Sequence, residues 1–253
     1  MGRLGQSGDM QTHQIGGSTF QFSAARIENL GASEYTLVVV AVDVSSSLGG
    51  LGGDLDKLLG AIVEACRKSP RADNIMLRVL MFNRSVSEFH GFRPLPDLNP
   101  SDYDGSCNPS GTTALYDAAY SGIESCIQYG ADLVAQDFDV NAAVFVLTDG
   151  QDNESKTTPR MIKDALAGAV KSEAIESIMP VLIGIGDGAT ADVSDVSPYL
   201  DRFHKEAGFQ QYVYAGNADA ATLAKIAGFV SKSVSSQSQS LCSGGVSTSL
   251  SFS

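Results

Sequence analysis

The chain is short of positive charge. Its 17 Lys and Arg face 29 Asp and Glu, a formal charge of −12 over 253 residues. Such a surface repels phosphate backbones and anionic membranes, and no stretch reads as a basic patch, so nucleic-acid binding is not expected. Long apolar runs are missing too. The longest purely aliphatic stretch, Leu37 to Val42, falls far short of the roughly 20 residues that span a bilayer, so membrane insertion is not expected. Met1 to Met10 shows no apolar segment of the secretory type. The four cysteines, Cys66, Cys107, Cys126 and Cys242, form no CxxC and have no histidine at zinc spacing. They read as buried free thiols of a reducing compartment. Together these absences give the expectation of a cytoplasmic protein. Enzyme motifs are scarce as well: there is no G-x-S-x-G elbow, no G-x-x-x-x-G-K-[ST] loop, and no G-x-G-x-x-G after the first buried strand.

What is present is an ordinary apolar fraction, 43%, and a length that buries a core without metal or disulfides. Residues 1–17 are polar and Gly-rich and read as a flexible arm; residues 18–24 alternate as a possible strand. Tyr35 to Val42 is β-branched and apolar on both faces, the pattern of a central parallel strand. Leu55, Leu58, Leu59, Ile62, Val63 and Cys66 then fall on one helix face. Strands at Ile75 to Phe82, Val86 to Phe89, Ala142 to Leu147, Ile178 to Ile185 and Phe209 to Tyr214 follow, with helices between and after them. Residues 90–112 read as a long Pro-rich loop, and 236–253 as a Ser-rich tail with too little apolar surface for a core of its own. The alternation predicts an α/β fold: a doubly wound, mostly parallel six-stranded sheet with helices on both faces, Rossmann-like in order. Ligands bind such sheets at the carboxyl ends of the strands, where the strand order reverses.

Three segments fall at that edge. Asp43, Ser45 and Ser47 form D-x-S-x-S after the first buried strand. Thr148-Asp149-Gly150 follows the strand at 142–147. Gly111-Thr112-Thr113 enters the helix ALYDA. Taken singly, each is a helix entry or a turn. Taken together they converge two carboxylates and several hydroxyls, an all-oxygen set of the kind hard divalent cations prefer. Asp152 and Asn153, just beyond, read as solvated, and Asp117 as a first-turn carboxylate favoured by the helix dipole.

On these residues the chain resembles a von Willebrand factor A domain with a metal-ion-dependent adhesion site, over about residues 35–235. The resemblance implies a metal site of Asp43, Ser45, Ser47, Thr113 and Asp149, holding Mg²⁺, or Mn²⁺ or Ca²⁺ in its place. Thr113 takes the threonine role because it directly precedes ALYD. Gly111-Thr112 stands where the family often has Gly-Gly, which leaves Thr112 as the alternative. The implied organisation is an arm at 1–17, an A domain at 18–235 and a tail at 236–253. The implied function is a non-enzymatic, metal-dependent protein-binding module that captures an Asp or Glu of a partner protein. The general look is similar to cytosolic bacterial proteins of the tellurium-resistance type, hence a stress-response setting. Two alternatives stand beside it. One is a metal-dependent phosphoryl-transfer enzyme, disfavoured because Ser45 occupies the place of a second Asp. The other is a structural subunit of a larger assembly. The rim would comprise loops 45–54, 83–112, 150–158 and 187–195, with Phe89, Phe92, Leu95, Leu98 and Tyr103 contacting the partner.

Overall fold

The structure, a computed structural model, describes residues 9–172, 174–186, 196–217, 219–243 and 250–252. Strands β3 (Glu34–Asp43), β4 (Ile75–Phe82), β6 (Asp139–Thr148), β7 (Ser177–Gly186) and β8 (Gln211–Asn217) are parallel, in the order β4-β3-β6-β7-β8. Helices α1 (Gly52–Arg67) and α5 (Ala220–Ser243) supply one core, and α2 (Leu115–Val134), α3 (Pro159–Ser172) and α4 (Ser197–Ala207) the other. The alternation of β3 explains why both faces must be covered. Val38, Val40 and Val42 enter the first core; Leu37, Val39 and Ala41 enter the second. The α1 face read from the sequence is buried throughout, each of its large side chains contributing about 2 kcal/mol of apolar burial.

The α/β doubly wound fold with the expected reversal of order between β3 and β6 is therefore present, but among the described residues the sheet has eight strands and is mixed. β5 (Val86–Pro94) runs antiparallel to β4, and β2 (Gln21–Ala25) and β1 (Met10–Gln14) extend that edge. β1 lies within the segment read as an arm. Its pattern was hidden because an edge strand with one solvated face needs few apolar residues. β2 meets β5 through one parallel register pair, Ala24 with Phe92. There the Ser23 carbonyl crosses so close to Gly91 that a Cβ would stand 1.9 Å from its oxygen, so only glycine fits.

The Pro-rich loop is shorter and more buried than the sequence suggested. β5 continues to Pro94, and Phe92, Leu95, Leu98 and Tyr103 are all core residues, exposed by 1% or less. The expectation that Phe92 and Tyr103 contact a partner is thereby corrected. Phe92 stacks on Tyr129 at 5.4 Å, and Tyr103 bonds His90. Asp56 of α1 fixes the rest of the loop, accepting from the backbone N–H groups of Gly105 (2.9 Å) and Cys107 (2.8 Å) and from the Ser106 hydroxyl (3.0 Å).

His90 makes acid stability predictable. The Gly91 carbonyl can only accept, so Nδ1 carries the proton at 2.9 Å and Nε2 accepts from the Tyr103 hydroxyl at 2.7 Å. Burial, opposed by the Gly91 bond, pulls its pKa from 6.5 to about 4. The unfolded chain then binds the extra proton between those values, so stability is whole above pH 6.5 and falls toward pH 4. The loss should reach about 3 kcal/mol. The Asp43 carboxyl, pushed up to about 6, adds stability as the pH falls over the same range, so the His90 loss is read as a difference: the denaturant midpoint of the wild type should fall relative to that of His90→Gln from pH 6.5 to pH 4.

The tail also departs from expectation. α5 continues through 236–243, where Gln237 and Ser238 are buried. Gln237 donates to the Ala142 carbonyl (3.1 Å) and to Ser177 (2.8 Å), while its own carbonyl accepts from Asn141 at 2.6 Å. A polar helix end is thus buried with most of its hydrogen bonds made, while the side-chain oxygens of Gln237 and Asn141 find no partner among the described residues. Farther on, Phe252 packs edge-on against Phe229.

Candidate functional site

The register of β3 and β6 builds the site. Val42 lies opposite Leu147, so Asp43 and Thr148 leave the sheet side by side. The Thr148 hydroxyl donates to Asp43 Oδ2 at 2.6 Å, and the Ser45 N–H donates to Oδ1 at 2.8 Å. A short 3₁₀ turn at Ser46–Leu48 then brings the Ser45 and Ser47 hydroxyls within 3.1 Å of each other. Ser47 donates on to Asp149 Oδ1 at 2.9 Å. Asp43, Ser45 and Asp149 are buried and Ser47 is exposed, so the cluster has an open side.

Thr113 belongs to this group. A Cβ built on Gly150 would stand 3.6 Å from the Thr113 hydroxyl, which places that hydroxyl against the Asp149–Gly150 turn. Thr112 points elsewhere, donating to Glu154 at 2.9 Å, so of the two threonines only Thr113 faces the cluster. Gly111, at φ +80°, turns the chain, and its carbonyl accepts from the Ser46 N–H at 3.1 Å and hydroxyl at 2.9 Å. The five expected residues, Asp43, Ser45, Ser47, Thr113 and Asp149, therefore stand together.

Several partners in this network were not legible as such. Thr148 was visible only as part of TDG. Asn153, expected to be solvated, accepts from the Thr113 N–H at 2.8 Å and donates its own to the Thr113 carbonyl at 3.0 Å. Asp152 accepts from the Tyr116 N–H at 3.3 Å. Asp117 is buried and accepts from the Thr157 N–H and hydroxyl, each at 2.8 Å. These residues clamp the segment after β6 onto the start of α2. The signal for them is short polar side chains just past a strand end, where they satisfy helix N–H groups. Loop 187–195, expected on the rim, lies outside the described residues.

The electrostatics are uneven. Burial, with the charge of Asp149 adding to it, pushes the Asp43 carboxyl up to about 6, against the opposing bonds from Thr148 and Ser45. No cation is among the groups that shift it. The donor set is all oxygen with two carboxylates, which fits a hard divalent cation and not a soft one.

No protein-family profile matches the chain, and no curated protein matches it. Among solved structures, an Asp-to-Ala variant of the PilB minor pilin from Streptococcus sanguinis is similar at TM-score 0.57 and 16% identity, covering 90% of this chain and 67% of that one. The pilus adhesin SpaC from Lactobacillus rhamnosus GG is similar at TM-score 0.53 and 11% identity, over 85% of this chain and 32% of that one. A von Willebrand factor type A protein from Catenulispora acidiphila follows at 0.50 and 14%, over 86% and 44%. The chain thus spans about a third to two thirds of these proteins. Its fold is that of a von Willebrand factor A domain.

These likenesses correct the expected setting. The similar structures are a minor pilin and a pilus adhesin, not cytosolic proteins. The cytoplasmic placement, the tellurium-resistance likeness and the stress-response setting are withdrawn with them. The thiols misled for a physical reason. Cys66, Cys107 and Cys126 are buried, and burial pushes the first two up to about 12, so they stay protonated and unreactive in any compartment. The metal-binding label is not carried by the comparisons either. None of these structures is named for a metal, and among the described residues no group of three or more His, Cys, Asp or Glu stands together. What the structure shows is two carboxylates, Asp43 and Asp149, hydrogen-bonded with the hydroxyls of Ser45, Ser47 and Thr148, with the Thr113 hydroxyl beside the Asp149–Gly150 turn.

Proposed function

We propose that the chain is a non-enzymatic protein-interaction domain, a structural or adhesive part of a larger assembly outside the cytoplasm. The observation that carries this reading is the convergence of Asp43, Ser45, Ser47, Thr113 and Asp149 from three separate loops at one open end of an A-domain sheet. The likeness to a minor pilin and a pilus adhesin supports the assembly setting. Within this reading, the five oxygen donors would hold one divalent cation, and the partner would add an Asp or Glu to it. The phosphoryl-transfer alternative is not favoured: the side chain two residues beyond Asp43 is the Ser45 hydroxyl, and His90 is taken up by Tyr103 and Gly91.

The test is capture of a partner from the surface fraction of the source organism by the immobilised chain. Thr113→Ala should abolish capture with little change in melting temperature, because its hydroxyl faces the cluster and its backbone bonds to Asn153 remain. EDTA should abolish capture as well. Capture that persists in both would remove this end of the sheet as the interface. Capture lost in Thr113→Ala but untouched by EDTA would keep the interface and remove the cation.

A further inference from the structure

A partly apolar hollow of another kind lies at the opposite end of the sheet. It is a cavity of about 400 Å³ between the end of α2, the starts of β6 and β7, and α3. Phe138, Val140, Ile175 and Ile178 form its apolar wall. Asp139 and Glu176 stand at its rim, both exposed. Val134 at the mouth is one of only three large apolar side chains exposed among the described residues. The wall is preformed: Ile175 fills a notch against Gly130, where a Cβ would stand 2.2 Å from its Cγ2. The Glu176 N–H donates to the Val140 carbonyl at 2.8 Å, which fixes the backbone of that rim residue to the start of β6.

Asp139 and Glu176 both line this opening, close enough for the charge of one to act on the other, and no described lysine or arginine lines it. Burial first, then the charges of Asp139 and Glu34, hold the Glu176 carboxyl above its ordinary value. An apolar wall with a negative rim complements one kind of side chain above others: a long aliphatic stem ending in a cation. We infer that this cavity takes a lysine side chain presented by a partner protein, its methylenes against Phe138 and Ile178 and its ammonium between Asp139 and Glu176. The site is separate from the cluster around Asp43, and the inference stands whether or not that cluster binds anything.

The test uses the full chain and two peptides, acetyl-Ala-Leu-Lys-Leu-Ala-amide and the same peptide with norleucine for lysine. Amide resonances of Val140, Ile175 and Glu176 should shift with the lysine peptide, and added salt should weaken the effect. The norleucine peptide should bind about fivefold more weakly, the size expected of a partly exposed ion pair. An Asp139→Asn, Glu176→Gln double variant should lose the same factor at unchanged melting temperature. Equal affinity for both peptides, or no shift at these residues with the lysine peptide, overturns the inference.

Discussion

Arg78→Ala should cost about 3–5 kcal/mol of stability, the largest loss expected from any single charged residue here. Arg78 lies in the middle of β4, 1% exposed, among apolar neighbours. Its guanidinium pairs with Glu88 at 2.7 Å, donates to Ser125 at 2.9 Å and to the Ser121 carbonyl at 3.2 Å, and reaches the Gln21 carbonyl at 3.3 Å. Glu88 in turn accepts from the Ser23 N–H at 3.1 Å. One ion pair thereby joins β4, β5, α2 and β2, where the direct β2–β5 pairing is a single register pair. Truncation leaves the Glu88 carboxylate without its cation and opens a void beside Phe22. For a chain of this size the loss lowers the melting temperature by about 10 °C. An Arg78→Met, Glu88→Gln double variant should recover most of it, since the amide oxygen still accepts from Ser23 and the methionine refills the space. If the double variant is as unstable as Arg78→Ala, the unpaired Glu88 charge and the void are not the source of the loss, and the hydrogen bonds that Arg78 makes to Gln21, Ser121 and Ser125 are.

This network shows where the sequence stops being legible. Ile75 to Phe82 reads as a strand because its apolar residues dominate, and the strand is there. Nothing in a local pattern says what answers an arginine in its middle, because Glu88, Ser125 and Gln21 come from three other elements. The parallel core strands were legible because burial on both faces leaves an uninterrupted aliphatic run. The loop residues Leu95, Leu98 and Tyr103 misread for the converse reason. An irregular segment has no period, so its apolar side chains could face a partner or the core, and the choice rests with the packing of α1 and β4 against them, which the fold alone sets. The convergence of Asp43, Ser45, Ser47, Thr113 and Asp149 was legible because strand ends of a doubly wound sheet converge by topology. Which of Thr112 and Thr113 faces inward was decided by Gly111 and Asn153, which the fold had to place.

Asp43→Asn should raise stability in EDTA and abolish any response to Mg²⁺. Asp43 is fully buried, its charge faces that of Asp149, and only hydrogen bonds answer it. A buried charge without a counter-ion is costly, and an isosteric amide removes that cost. The amide oxygen can still accept from the Ser45 N–H, and the Thr148 hydroxyl can turn from donor to acceptor toward the new NH₂. A gain of about 1–2 kcal/mol, or about 3–6 °C in melting temperature, is expected without metal. The wild type should instead gain stability as Mg²⁺ is added, since a ligand that binds only the folded state stabilises it by mass action. Crossing curves, with the variant higher in EDTA and the wild type closing the gap in Mg²⁺, would show that the cluster holds back stability for a cation. A variant less stable than the wild type in EDTA, with neither protein responding to Mg²⁺, would show instead that Asp43 serves the fold: its two hydrogen bonds would then outweigh its burial, and the cluster would be a brace between β3 and β6.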